Sequence, residues 1–306
     1  MSQSPPSHTF KKWGVPPLSQ LKAAFDLAWP VSLAAMITPL LGIIDTAVLT
    51  RAGTTTDIAG VALAGAIFSI LYWSLGFLRM SLSGLVAQAD GANDEAGVRA
   101  HLVQGAILGG IIGTILLLLR APIGDLSTAL MGRGTDTSSD ALAAMRSYID
   151  IRLLAAPFAI AFFAGVGWLT GQGKMGLMMV VIFIVTVTNA VLDIYFVMVL
   201  DMGVEGIALG TAIAEGVGTL LLGATTLFVL HQRGGIRRDW TIARLHEGLG
   251  AVLALNADIF IRTFSLAIVF AYFTQAGGKF GDLTVAANQI LMHILLTAGL
   301  MLDGPA

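Results

Sequence analysis

Apolar runs long enough to cross a lipid bilayer recur from near the start of this chain to its end. A helix needs about 18 or more predominantly apolar residues to span the hydrocarbon core, and each run meets that length. Short polar stretches separate them: "RAGTTTD", "DGANDEAG", "GRGTDTSSD", "GQGK", "DMGVEG", "HQRGGIRRDW" and "GGKFGD". Only 12% of the 306 residues are charged, against roughly 25% in a soluble domain. The chain is therefore predicted to be an all-α polytopic membrane protein.

Residues 1–24 are polar and proline-rich, with no uninterrupted apolar stretch ending in a small-residue cleavage site. They read as a cytoplasmic tail. Eight spans follow, at about 25–50, 58–83, 101–120, 143–170, 175–200, 204–230, 249–275 and from 283 onward. The first six form one lobe over 25–232. A basic cytoplasmic linker covers 233–248, and residues 249–306 hold the first two helices of a second, partial lobe. With the N-terminus inside, nine lysines and arginines fall on the inner side and five (Arg51, Arg120, Arg133, Arg146 and Lys279, two of them at span ends) on the outer, leaving aside Arg79 and the other arginines deeper within spans. This bias favours a cytoplasmic N-terminus. The cluster "RGGIRRDW" supplies most of it and reads as a topology signal or a lipid headgroup contact.

Sliding the chain by 224 residues lays 61–79 over 285–303, with five of nineteen positions identical (Val61/Val285, Ala62/Ala286, Ile70/Ile294, Leu71/Leu295, Leu78/Leu302). A protein built from two repeated bundles shows this kind of echo.

Polar residues inside spans carry the chemistry. An ionised group at the centre of a membrane helix costs about 2.5–3.5 kcal/mol on insertion scales, so such groups turn to the bundle interior or to water. Asp45 lies within "TPLLGIIDTAVLT". Asn189 and Asp193 are four apart in span 5 and share one helix face. Thr211 and Glu215 are one turn apart in span 6. Structural roles are open to each. Asp45 can bond a neighbouring hydroxyl such as Thr46, Asn189 and Asp193 can act as interhelical glue, Thr211 can bond its own backbone, and Glu215 can pair with a polar neighbour. Asn or Ser would serve such purposes at lower cost than two carboxylates, and desolvation favours the neutral form of a carboxyl, which suits proton exchange. The functional reading is preferred. Three other intramembrane charges read as structural. Arg79 snorkels from the inner end of span 2, while Asp258 and Arg262, four apart, pair with each other. Pro30 and Pro157 are expected to kink their helices.

There are no cysteines, and no two of the five histidines lie within one helical turn, so neither a thiolate nor a histidine metal site is expected. No nucleophile–base pair is visible either, and the chain is not read as an enzyme.

Several stretches resemble the multidrug and toxic compound extrusion (MATE) transporters, in the branch named for DNA-damage-inducible protein F. These are "LAWPVSLAAMITPLLGIIDTAVL", "GFLRMSLSGLVAQADGANDEAG", "GQGKMGLMM", "TNAVLDIYFVMVLDMGVEGIALGTAIAE", "LNADIFIRTFSLAIVF" and the late "LDG". The match covers nearly the whole chain after residue 20. The resemblance implies a six-helix N-lobe plus the start of a C-lobe. It also implies a proton- or sodium-linked site at Asp45, Asn189, Asp193 and Thr211. No cofactor is implied and no metal is required if the coupling ion is H+, whereas Na+ would call for several oxygen atoms, which these residues carry. The implied partners are a small organic substrate and membrane lipid, with no nucleic acid, and the implied location is the bacterial inner membrane. Family members have twelve helices and this chain ends in its eighth, "LDGPA" departs from the family where an aromatic usually follows the glycine, and Ala257 replaces a residue often basic there.

Three function classes follow. The first is a cation-coupled antiporter that exports organic compounds by alternating access. The second is a non-transporting remnant or half-transporter that needs a separately encoded C-lobe. The third is a lipid-linked precursor flippase of the same superfamily, disfavoured because the membrane-embedded N-lobe is acidic.

Overall fold

The computed structural model of the chain describes residues 42–51, 53–235 and 257–303, the side chains of 257–259 and 297–303 excepted. The tail, Pro30, most of span 1, most of the basic linker and the start of span 7 lie outside the described residues. Among those described, every regular element is helical, and six helical runs are long and apolar enough to cross a membrane.

Helix α1 covers 42–51. The second crossing is one run, Thr55–Gly91, built from α2 (Thr55–Phe68), a π-helical turn (Ser69–Trp73) and α3 (Phe77–Gly91). It starts at a reciprocal cap. The Thr54 hydroxyl accepts from the Asp57 amide at 3.2 Å while Asp57 Oδ2 accepts from the Thr54 amide at 2.8 Å. It stops only at Asn93, whose φ of 55° turns the chain left-handed. The helix thus runs on past Arg79 and past the predicted span limit of 83. The helix continues to Gly91 because nothing in "SLSGLVAQAD" breaks it, and Arg79 stands exposed on its flank.

The third crossing is α4 (Glu95–Leu118), and α5 (Arg120–Gly132) continues it after a break at Leu119, in a region assigned no element from the sequence. The fourth consists of α6 (Ser139–Arg152), a 3-10 turn (Leu153–Ala155) and α7 (Ala156–Gly171). The break between α6 and α7 lies beside Pro157, which occupies the first turn of α7, where its missing N–H leaves no bond unmade. Then come α8 (Met175–Ile194) with a π-helical turn (Tyr195–Val199), and α9 (Gly203–Gln232). Two further helices, α10 (Ala257–Gly277) and α11 (Asp282–Asp303), pack against α2. Arg262 is exposed on α10. Its expected pairing with Asp258 lies outside what is described, since the side chain of Asp258 is not.

The helices are inside-out relative to those of a soluble protein. On α4, Ile107, Ile111 and Ile115 point outward, while Gly105, Gly109 and Gly113 face α7. Lipid is as apolar as leucine, so what holds two membrane helices together is close backbone approach. A Cβ at Gly109 would stand 3.0 Å from the Ile160 carbonyl oxygen, and one at Gly113 would collide with Pro157 Cα. At one end of the bundle an ionic cluster ties three connections. Arg233, just past α9, donates to Glu95 (Nη2–Oε1 2.6 Å), Asp90 (2.5 Å) and Gln172 (2.6 Å), and Arg99 donates to the Arg233 carbonyl at 2.5 Å. Hydrogen bonds donated to Glu95 and then Asp90 hold the Arg233 guanidinium above its usual range.

The α4–α7 contact yields a paired expectation. Gly113→Leu should lower the melting temperature of detergent-solubilised protein, by the equivalent of about 1–3 kcal/mol for overpacking. Gly110→Leu, at a position with nothing within 4 Å of its Cβ, should leave it unchanged or raise it.

Candidate ion-coupling site

The four sequence-predicted residues meet inside the bundle. Asp45 of α1 is 7% exposed, Asn189 and Asp193 of α8 are 1% and 0%, and Thr211 of α9 is 6%. Why α8 turns its polar residues inward is plain from its sequence. Val180, Phe183, Ile184, Val187 and Val191 point outward, and the face left for the bundle carries Asn189 and Asp193. Glycine on α9 lets the two helices close here, since a Cβ at Gly210 would fall on Asp193 Oδ1.

Asp45 and Asp193 interact carboxyl to carboxyl. Two ionised carboxylates cannot sit in that contact unrelieved, so the arrangement requires a proton on one of them or another cation at the pair. Thr46 offers no alternative partner to Asp45, because its hydroxyl donates to the Gly42 carbonyl at 2.8 Å. With the Asn189 amide oriented to satisfy both its ends, its nitrogen donates to Asp193 Oδ2 at 3.1 Å. Its oxygen then accepts from the Thr211 amide at 3.3 Å and hydroxyl at 3.1 Å. The Thr211 hydroxyl has one hydrogen and a second acceptor in the Ile207 carbonyl at 2.9 Å. The Asn189 network can therefore shift without breaking.

Sequence reasoning left out one residue of this region, Arg152. It ends α6 and forms an ion pair with Glu215 of α9, their side chains 13% and 17% exposed. The polar neighbour expected for Glu215 is this arginine. Phe68 lies 4.5 Å from the guanidinium carbon, with Tyr72 and Tyr148 at 5.6 and 5.7 Å, so three rings surround the charge. Arg152 also donates to the Tyr148 hydroxyl at 3.3 Å. A signal was present in the sequence: span 4 carries an arginine within its apolar run, one turn after Tyr148, and span 6 carries a matching glutamate. Among the described residues no group of three or more His, Cys, Asp or Glu side chains is placed to hold a metal ion.

If Asn189, Asp193 and Thr211 act as one network, their substitutions should not add. In a double-mutant cycle of Asn189→Ala and Thr211→Val, thermal unfolding should report a coupling of about 0.5 kcal/mol or more, as found for residues within one hydrogen-bond network.

Comparison with known proteins places the chain in a family. A family model described as MatE matches residues 30–195. "DNA damage-inducible protein F" of Escherichia coli (strain K12) is 35% identical over 283 residues, covering 92% of this chain and 61% of the relative. "Multidrug export protein MepA" of Staphylococcus aureus (strain bovine RF122 / ET3-1) is 26% identical over 196 residues, covering 63% of this chain and 42% of that protein. Among solved structures, the outward-facing conformation of a multidrug resistance MATE family transporter of the MOP superfamily superposes with a TM-score of 0.76 at 23% identity. It covers 93% of this chain and 62% of that one. The chain thus spans less than two thirds of the length of these relatives. The matched region takes in α1 through α8, with Asp45, Asn189 and Asp193, and the chain belongs to the MatE family.

Proposed function

We propose that the chain supplies the ion-coupling lobe of an antiporter that exports organic compounds by alternating access, with the proton as coupling ion. The observation that carries this reading is the carboxyl contact between Asp45 of α1 and Asp193 of α8, deep in a bundle whose outer surface is apolar. Such a pair has two stable conditions. With a proton bound it draws α1 and α8 together. With the proton gone, repulsion favours their separation, and a cavity between helices changes shape. Binding the ion to one conformation more tightly than to the other is what couples an ion gradient to a movement.

The relatives' printed names, a multidrug export protein and a multidrug resistance transporter, support drug-like substrates for this chain as well. The charge of the region supports cationic ones. Asp45, Asp193 and Glu215 stand against one guanidinium, that of Arg152. This balance also disfavours a flippase for anionic lipid precursors. A single proton shared by the two carboxyls relieves their repulsion with no further ligand, which favours the proton as the coupling ion. On this reading the N-terminus is cytoplasmic, in a bacterial inner membrane, and 25–232 form the lobe that couples. Residues 249–306 open a second lobe.

Export needs the substrate path between two lobes, so the 306-residue chain by itself is expected to insert and to export little. The coupling site is best tested with the chain joined, at the matching position, to the remainder of the E. coli relative. Asp45→Asn and Asp193→Asn should each reach the membrane at near-parent yield, because Asn mimics the neutral carboxyl. Each should also lose efflux driven by an imposed pH gradient. Efflux that stays at the parent's rate in Asp45→Asn would assign Asp45 a structural role. Efflux that follows a sodium gradient and ignores pH would replace the proton with sodium.

A further inference from the structure

The Arg152–Glu215 pair is joined at one corner only. Arg152 Nη2 meets Glu215 Oε1, while Arg152 Nε and Glu215 Oε2 are buried with no hydrogen-bond partner. An arginine fork commonly engages a carboxylate through two parallel bonds. Here the second bond is unmade, and the Tyr72 hydroxyl beside it is also unpartnered. The ring of Phe68 under the guanidinium holds the charge without fixing its edge, since attraction to a ring face tolerates rotation in the plane. Tyr148, which accepts from Arg152 Nη1, lies within electrostatic reach of both Asp45 and Asp193. Arg152 in turn acts electrostatically on both of those carboxyls.

Among the described residues, the charged and titratable groups around Arg152 are few. Tyr72 faces it from the π-helical turn of the second crossing, Tyr148 from its own helix and Glu215 from α9. Asp45 of α1 and Asp193 of α8 are within electrostatic reach of both Tyr148 and Arg152.

From this geometry we propose that Arg152 is the resident counter-charge of the Asp45–Asp193 pair. It rests on Glu215 while the pair holds its proton and turns toward the pair when the proton leaves. It is a positioning residue, whose fixed charge stands in for the departed cation and keeps two bare carboxylates from being left together at membrane depth. The inference rests on the proton-exchange reading above. It adds a role for Arg152 and Glu215 that a passive structural ion pair would not have.

The test needs no transport. The 306-residue chain, purified into lipid nanodiscs, is treated with a hydrophobic carbodiimide, which modifies carboxyl groups carrying a proton. Labelling of the peptides containing Asp45 and Asp193 is read by mass spectrometry across a pH series. In the parent, labelling should fall as pH rises. Arg152→Gln removes the counter-charge, so the fall should move to higher pH by about one unit or more. Glu215→Gln releases Arg152 to the pair, so the fall should move to lower pH. Arg152→Lys should restore the parent profile in part. Because Arg152→Gln leaves Glu215 buried and unpaired, Arg152→Gln/Glu215→Gln, which removes both charges, is measured beside it and should keep the upward shift. A fixed ion pair predicts otherwise: its two charges act independently, so the double variant shows the sum of the two single shifts, or no variant moves the profile at all. Either of those results overturns the role of Arg152 while leaving proton exchange standing. A parent profile that does not vary with pH overturns both.

Discussion

A carboxyl group at membrane depth has no water to solvate it, and the protein must supply whatever holds it there. In this chain that requirement is met by contact between two carboxyls on different helices. Asp45 on α1 and Asp193 on α8 become neighbours only if those helices close against each other, and Asn189 and Thr211 fix the second of them by hydrogen bonds across α8 and α9. Four polar side chains from three helices thus define the inside of the bundle. The apolar residues of α8 take the opposite face because lipid accepts them at no cost.

Helices that carry such a network must come close enough for short side chains to reach one another. The chain achieves this with small residues rather than with a hydrophobic seam. Gly109 and Gly113 bring α4 onto α7, and Gly210 lets α9 close on Asp193. Two π-helical turns also bear on the region. One carries Tyr72 toward Arg152, and the other begins two residues after Asp193. An extra residue in a helical turn shifts the register of everything after it and leaves the local ladder less regular, and such turns are frequent at functional sites. In both places the departure from α-helix lies beside a buried charge.

The electrostatic balance is local. Glu215 and Arg152 neutralise each other, and the Asp45–Asp193 pair is left acidic unless a cation joins it. Aromatic rings around Arg152 let a full charge stay in a place that is largely shut off from solvent. The ionic cluster at the end of the bundle works differently. Arg233 gathers Asp90, Glu95 and Gln172 from two connecting segments, where water can screen them. It fixes loop positions and stands apart from the buried chemistry.

What the sequence by itself determined is the fold class, the approximate spans and the identity of Asp45, Asn189, Asp193 and Thr211 as bundle-facing groups. Each follows from a one-dimensional property: apolar length sets a crossing, and a charge within one must find cover. Where helices end was less legible. The second crossing overran its expected limit to Gly91, and α5 formed where no element was expected, because apolar length marks the membrane and not the helix. Only the tertiary structure decided which polar groups meet. That Glu215 finds Arg152, that Asp45 faces Asp193 rather than Thr46, and that Tyr148 lies within electrostatic reach of both charge sets all depend on how helices rotate about their axes and how closely they approach. Those angles come from glycine contacts and helical breaks acting between segments far apart in the chain, and hydropathy along a single segment carries no record of them.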